Sequence, residues 1–90
     1  MKIEFSIHAR HQITERNIDE KKVRETLNKP EQIIQSLGDR KIAQRIYKRE
    51  GEMQLLRVIF LEQDKAIKVI STYWTSKIDT GSFANLQNSQ

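Results

Sequence analysis

Pro30, the only proline in 90 residues, divides the chain into two kinds of sequence. A proline has no N–H to donate and its ring blocks the preceding turn, so no regular helix runs through position 30. Before it, apolar residues recur at helical spacing; from Glu31 to Trp74 the chain reads as strand and turn. Helices are therefore confined to the N-terminal third, and the rest must build a sheet for them to cover.

Caps mark the elements. Lys2–Phe5 alternates polar and apolar, which fits a short edge strand. Ser6 is placed to cap a helix over roughly residues 8–16, with Ile13 turned inward beside Ile7 or Ala9. Asn17 suits the left-handed position that ends a helix. Asp19 then caps a second helix, roughly 20–28, where Ile18 and Val23 can form a hydrophobic staple and Leu27 continues the stripe. Strands are expected over Glu31–Leu37, Lys41–Arg49, Met53–Leu61 and Ala66–Trp74, with turns at Gly38-Asp39, Glu50-Gly51-Glu52 and Glu62–Lys65. Met53–Leu61, the most apolar of them, reads as a central strand. Residues 1–78 form one expected domain. The Ser-, Asn- and Gln-rich stretch 79–90 reads as a mobile tail whose Phe83 and Leu86 suit docking on a partner.

Composition narrows the chemistry. With no cysteine there is no disulfide, no thiolate nucleophile and no Cys-based metal site. His8, His11 and Glu15 share a helix face but lack a fourth ligand, so no metal and no cofactor is expected. No apolar run approaches the ~20 residues of a membrane span, and Met1-Lys2-Ile3-Glu4 lacks the start of a signal peptide. A cytoplasmic protein with no membrane partner is the expectation. The net charge of +4 is modest, but Arg40, Lys41, Arg45, Lys48 and Arg49 follow one another with no acid among them. That stretch is the best candidate for a phosphate-facing surface.

Face assignment depends on the turn at Glu50-Gly51-Glu52. A three-residue loop would put Arg49 opposite Met53 and Arg45 opposite Arg57. One face would then collect Ile42, Ile46, Leu56, Val58, Phe60, Ile67 and Val69 and take the helices. The other would collect Arg45, Tyr47, Leu55, Arg57, Ile59, Lys68, Thr72 and Trp74, a mixture of cations and rings suited to phosphates and bases. A two-residue loop would move Arg45 and Tyr47 to the helix side. Basic residues on strands, here Lys41, Lys48, Arg49 and Lys68, are commonly solvated or paired with Glu, and Tyr73 and Trp74 are more often packing residues than platforms. Arg57 differs, because it interrupts Leu55-Leu56-Arg57-Val58-Ile59-Phe60-Leu61 and so needs a carboxylate, a backbone acceptor or a ligand.

The stretch His8-Ala9-Arg10-His11-Gln12-Ile13-Thr14-Glu15-Arg16-Asn17-Ile18-Asp19, the helix end Asn28-Lys29-Pro30-Glu31, the strand Leu56-Arg57-Val58-Ile59 and the ending Val69-Ile70-Ser71-Thr72-Tyr73-Trp74-Thr75-Ser76-Lys77 together resemble the DUF4258 family. These small prokaryotic proteins are similar in outline to the BrnT and RelE-type toxins of toxin–antitoxin pairs. Where the family usually carries Gly after the first-helix arginine, this chain has Asn17, which also tolerates the left-handed conformation. The resemblance implies a RelE-like α+β fold, with two N-terminal helices packed on a curved antiparallel sheet of about four strands. It also implies an RNA-cleaving toxin held inactive by a cognate antitoxin, expected to be acidic and encoded next door.

Cleaving RNA without a metal requires deprotonation of the ribose 2′-hydroxyl, charge stabilisation at the phosphorus and protonation of the leaving oxygen. The candidates are His8 as base, Arg45 and Arg57 as cationic clamps, and Tyr73 and Lys77 as proton donors or positioning groups. Arg16, Lys41, Tyr47, Lys68 and Trp74 are the RNA-binding candidates. The rival reading is a non-catalytic module of the same fold that binds RNA or protein.

Overall fold

The computed structural model describes residues 2–76. In chain order the elements are β1 (Lys2–Phe5), α1 (Ile7–Glu15), α2 (Glu20–Asn28), β2 (Gln32–Gln35), β3 (Arg40–Arg49), β4 (Glu52–Gln63) and β5 (Ala66–Thr75). They form one five-stranded sheet in the order β1-β5-β4-β3-β2, with β4 at its centre. This overturns the expected arrangement of two N-terminal helices on about four antiparallel strands. A strand precedes the helices, and it lies parallel to β5 while the other three pairings are antiparallel. The parallel pairing is possible because the chain between the two strands is long: α1 and α2 carry it from β1 at one edge to β2 at the other, and β3 and β4 bring it back to β5. Lys2–Phe5 is the edge strand its alternation indicated, but four residues carry no signal of which strand they will join.

The helix ends follow the sequence closely. Ser6 Oγ accepts from Ala9 N at 3.0 Å, and Asp19 Oδ1 accepts from Lys21 N at 2.9 Å. Asn17 adopts φ 52°, the left-handed turn between the helices. Ile18 and Val23 are both buried, and the inward partner of Ile13 is Ala9, since Ile7 is exposed. Both helices pack on one face of the sheet, where Ala9, Ile18 and Val23 meet Leu56, Val58 and Val69. Around this centre lie Ile3, Phe5, Ile13, Leu27, Tyr47 and Trp74.

β1 ends opposite Val69, which leaves the outer edge of β5 uncovered beyond that point. Bare strand edges invite pairing with another chain. Here α1 and its N-cap close the edge: Ser6 donates from its backbone N to Val69 O and from Oγ to Ile70 O, and Gln12 Oε1 accepts from Thr72 N and Ser71 Oγ. The register shifts at this place, with Ile59 opposite Ser71 but Phe60 opposite Val69, so Ile70 is the extra residue of a bulge. Glu20 ties the helices together by bonding Arg10 of α1 and Arg24 of α2, and both guanidinium groups lie over the Phe5 ring.

The loop between β3 and β4 has two residues. Arg49 pairs with Glu52, while Glu50 and Gly51 take φ 51° and 80°, the double left-handed turn that matches the twist of a hairpin. The three-residue register is thereby overturned: Arg45 stands opposite Leu56, and the partner of Arg57 is Gln44. A slip of one residue reverses every side chain of β3. Arg45 and Tyr47 therefore join the helix side, and Ile42 and Ile46 turn to the other face. Thr72 and Trp74, paired with Val58 and Leu56, are also on the helix side.

Candidate nucleic-acid interface

Arg57 sits at the middle of β4, on the face away from the helices. Its strand neighbours on that face are Leu55 and Ile59, and its lateral neighbours are Gln44 of β3 and Tyr73 of β5. Gln44 in turn pairs with Gln32 of β2, to whose Oε1 it donates from Nε2. A polar row, Gln32–Gln44–Arg57–Tyr73, thus crosses four strands; Ile42, Ile46, Leu55 and Ile59 flank it, and Arg40, Lys48, Lys68 and Ser71 lie further out on the same face.

The geometry within the row is specific. Arg57 Nη1 donates to Tyr73 Oη at 2.8 Å, and the guanidinium carbon lies 5.7 Å from the Tyr73 ring centroid. Arg57 Nε is buried and bonds to nothing, and no carboxylate of the described residues pairs with this cation. Desolvating an arginine without a counter-ion is costly, and its strand position holds it there. A phenol that accepts a hydrogen bond from a guanidinium keeps its own proton to donate. Together the two side chains offer a fixed cation and a neutral proton donor at one point of the sheet.

A second cluster forms on the helix side, between α2 and the ends of β3 and β5. Tyr47 donates to Glu25 Oε1 at 2.6 Å and meets Trp74 edge to face, with centroids 5.7 Å apart. Burial, followed by the hydrogen bond to the Glu25 carboxylate, raises the Tyr47 phenol above its usual pKa range. Arg45 donates from Nη1 to the Lys29 carbonyl at 2.7 Å and lies 3.9 Å from Glu25. The atom nearest Glu25 is its Nε, which is buried and makes no hydrogen bond to a described residue. The ring faces carry cations: Lys22 and Arg45 over Tyr47, Lys22 and Arg49 over Trp74. These rings serve as seats for cations rather than as bare stacking platforms.

The sequence-derived candidates are thus separated. Arg57 and Tyr73 come together; Arg45, Tyr47 and Trp74 gather on the opposite face. His8 is exposed on the first turn of α1, and its side chain makes no hydrogen bond or ion pair with another described residue. Arg16 is exposed at the C-cap of α1. Lys41 pairs with Glu62 of β4, and Lys68 lies partly buried on β5 opposite Leu61. Lys77 lies outside the described residues, as do Phe83, Leu86 and the whole stretch 79–90.

A family model described as a domain of unknown function (DUF4258) matches residues 5–74. The chain belongs to this family. The match takes in Arg57, Tyr73 and the Lys22–Trp74 cluster, and it bears out the resemblance to DUF4258 drawn from the motifs. No curated protein and no solved structure matches the chain. Among the described residues of this DUF4258 protein, no helix is long and apolar enough to cross a membrane.

Lys22, Gln32 and Gln44 were not singled out by sequence reasoning, and Arg49 was named only as one of the basic residues of the stretch 40–49. Arg45, Tyr47 and Arg49 alternate on one strand, which is the signal that would have grouped Arg49 with the other two. Lys22 has no such signal, because its place over the rings depends on how α2 lies across the sheet.

Proposed function

We propose that this DUF4258 protein acts on RNA in the cytoplasm, as the toxin of a toxin–antitoxin pair, through a metal-independent ribonuclease site centred on Arg57 and Tyr73. The observation that carries this reading is Arg57, a half-buried cation in the middle of a sheet face whose guanidinium has, among the described residues, no carboxylate and a phenol as its only hydrogen-bond partner. An RNA phosphodiester supplies the missing negative charge. The guanidinium would stabilise the charge that grows on the phosphoryl oxygens, and Tyr73 would pass its proton to the leaving 5′-oxygen. Ile42, Ile46, Leu55 and Ile59 around the row limit access of water, which strengthens both interactions. The antitoxin, an acidic protein from the neighbouring gene, would cover the same face. The similarity of the family to BrnT and RelE-type toxins motivates the toxin assignment.

One observation favours the second reading, an RNA-binding module without catalysis: no histidine or carboxylate of the described residues contacts the Arg57–Tyr73 pair, so no base stands beside it. Incubating the purified chain with single-stranded RNA in excess chelator decides between them. Cleavage by the wild-type chain that is lost in Arg57→Leu supports the ribonuclease; retained binding with intact RNA supports the module. No binding and no cleavage would sink both.

A further inference from the structure

The cation cluster on the helix side has a feature that fold stabilisation does not explain. Lys22 Nζ carries three N–H donors, lies 5.4 Å and 5.8 Å from the Tyr47 and Trp74 rings, and bonds to no acceptor among the described residues. Arg49 stands directly across from Glu52, the pairing that would neutralise it, yet forms no ion pair there. Instead its guanidinium lies 4.4 Å from the Trp74 centroid and, among the described residues, donates only to Gln54 Oε1, at 2.8 Å. A guanidinium stacked on a ring keeps its in-plane N–H groups directed outward. Arg45 adds a buried Nε with no hydrogen-bond partner among the described residues, its nearest carboxylate being Glu25 at 3.9 Å.

Three cations therefore gather around two rings, and among the described residues only Arg45 of the three has an ion pair, with Glu25, which is already engaged by the Tyr47 hydroxyl. Like charges repel; the ring faces offset part of that repulsion, and an anion bound among the cations would offset more. We infer that Lys22, Arg45 and Arg49, seated on Tyr47 and Trp74 at the junction of α2 with the sheet, form a binding site for phosphate oxyanions, separate from the Arg57–Tyr73 row on the opposite face. Phosphate fits because its oxygens accept from a guanidinium edge and an ammonium at once. The rings supply rigidity: the cations are held before the ligand arrives, so little ordering remains to be done. The source is either a nucleic-acid backbone or a small phosphorylated compound.

Trp74 is the only tryptophan in the chain, so its emission reports on this site directly. The full chain is titrated with pyrophosphate and, separately, with a short single-stranded RNA bearing no terminal phosphate. Binding of each probe is also measured by calorimetry, which is independent of the fluorophore. The expected result is a saturable change in Trp74 emission with at least one probe, weakened roughly tenfold by Lys22→Gln or Arg49→Gln, the loss of one charge-assisted contact. A response to pyrophosphate identifies a small-phosphate site, and a response to RNA alone identifies a backbone site. Arg57→Leu leaves the pyrophosphate response unchanged. No saturable response to either probe, or a response that both substitutions leave intact in folded protein, overturns the inference.

Discussion

Arg57 and Tyr73, on adjacent strands of the central sheet, share a 2.8 Å hydrogen bond while the arginine Nε is buried and unbonded. The bond leaves a cation whose charge no carboxylate of the described residues offsets. Replacing Arg57 by Leu removes the desolvated charge without orphaning an acid, so the melting temperature should change little or rise. RNA cleavage should fall by roughly 100-fold, about 2.7 kcal/mol of transition-state stabilisation. Arg57→Lys keeps the charge but not the fork, and should recover only a small part of the activity. A folded, fully active Arg57→Leu variant would remove Arg57 from the site.

Tyr73→Phe separates positioning from packing. The ring remains, but Arg57 Nη1 loses its acceptor, which costs about 1–3 kcal/mol for the group left unsatisfied. Urea unfolding measures that cost. Cleavage should slow while RNA affinity at low salt stays within a few-fold, because the guanidinium itself is intact. An unaltered cleavage rate would show that the phenol passes no proton.

The β3–β4 turn places Glu50 at φ 51°, a conformation asparagine adopts more readily than glutamate. Glu50→Asn should therefore stabilise the domain by about 0.5–1 kcal/mol without changing the register. Gly51→Ala, at φ 80°, should destabilise it by about 1 kcal/mol or more. Denaturant midpoints of the two variants should move in opposite directions, and shifts of the same sign would count against this turn geometry.

Gln12 is the cap on the open edge of β5. Gln12→Ala leaves Thr72 N, bonded at 3.0 Å, without its acceptor at a buried position, at a cost of about 1–3 kcal/mol. Hydrogen exchange should locate the damage: the Thr72 amide loses protection while amides at the β3–β4 pairing keep theirs. Equal loss across the sheet would mean that Gln12 supports the whole fold rather than one edge.

Glu20 makes the acid response of the helical layer predictable. Its hydrogen bonds from Arg10, then from Arg24, lower the carboxyl pKa below the ordinary glutamate value. A carboxyl that titrates lower in the folded state than in the unfolded chain stabilises fully above the unfolded pKa and loses that contribution as pH falls through the folded one. Glu20→Gln should thus lower stability at neutral pH and flatten its decline between pH 5 and the acid limit. An unchanged pH profile would mean that the network over Phe5 does not survive in solution.

Local chemistry alone was enough to place the helices and strands. Ser6, Asn17, Asp19 and Pro30 act within a turn of their own positions, so the limits of α1 and α2 and the central place of β4 are legible in the chain. Arg57 was equally legible, because a charge inside an apolar strand stands out whatever lies beside it. The composition of the two faces was not. It turns on whether the chain reverses over two residues or three at Glu50-Gly51, and the alternation of a strand converts that single residue into opposite sides of the sheet. Only the tertiary structure puts Arg45, Tyr47 and Trp74 beneath α2 with Lys22 and leaves Arg57 with Tyr73. It likewise decides that β1 joins β5 in parallel, since a pairing between residues more than sixty positions apart is set by the path of two helices and by burial of Ile3 and Phe5 against the shared core.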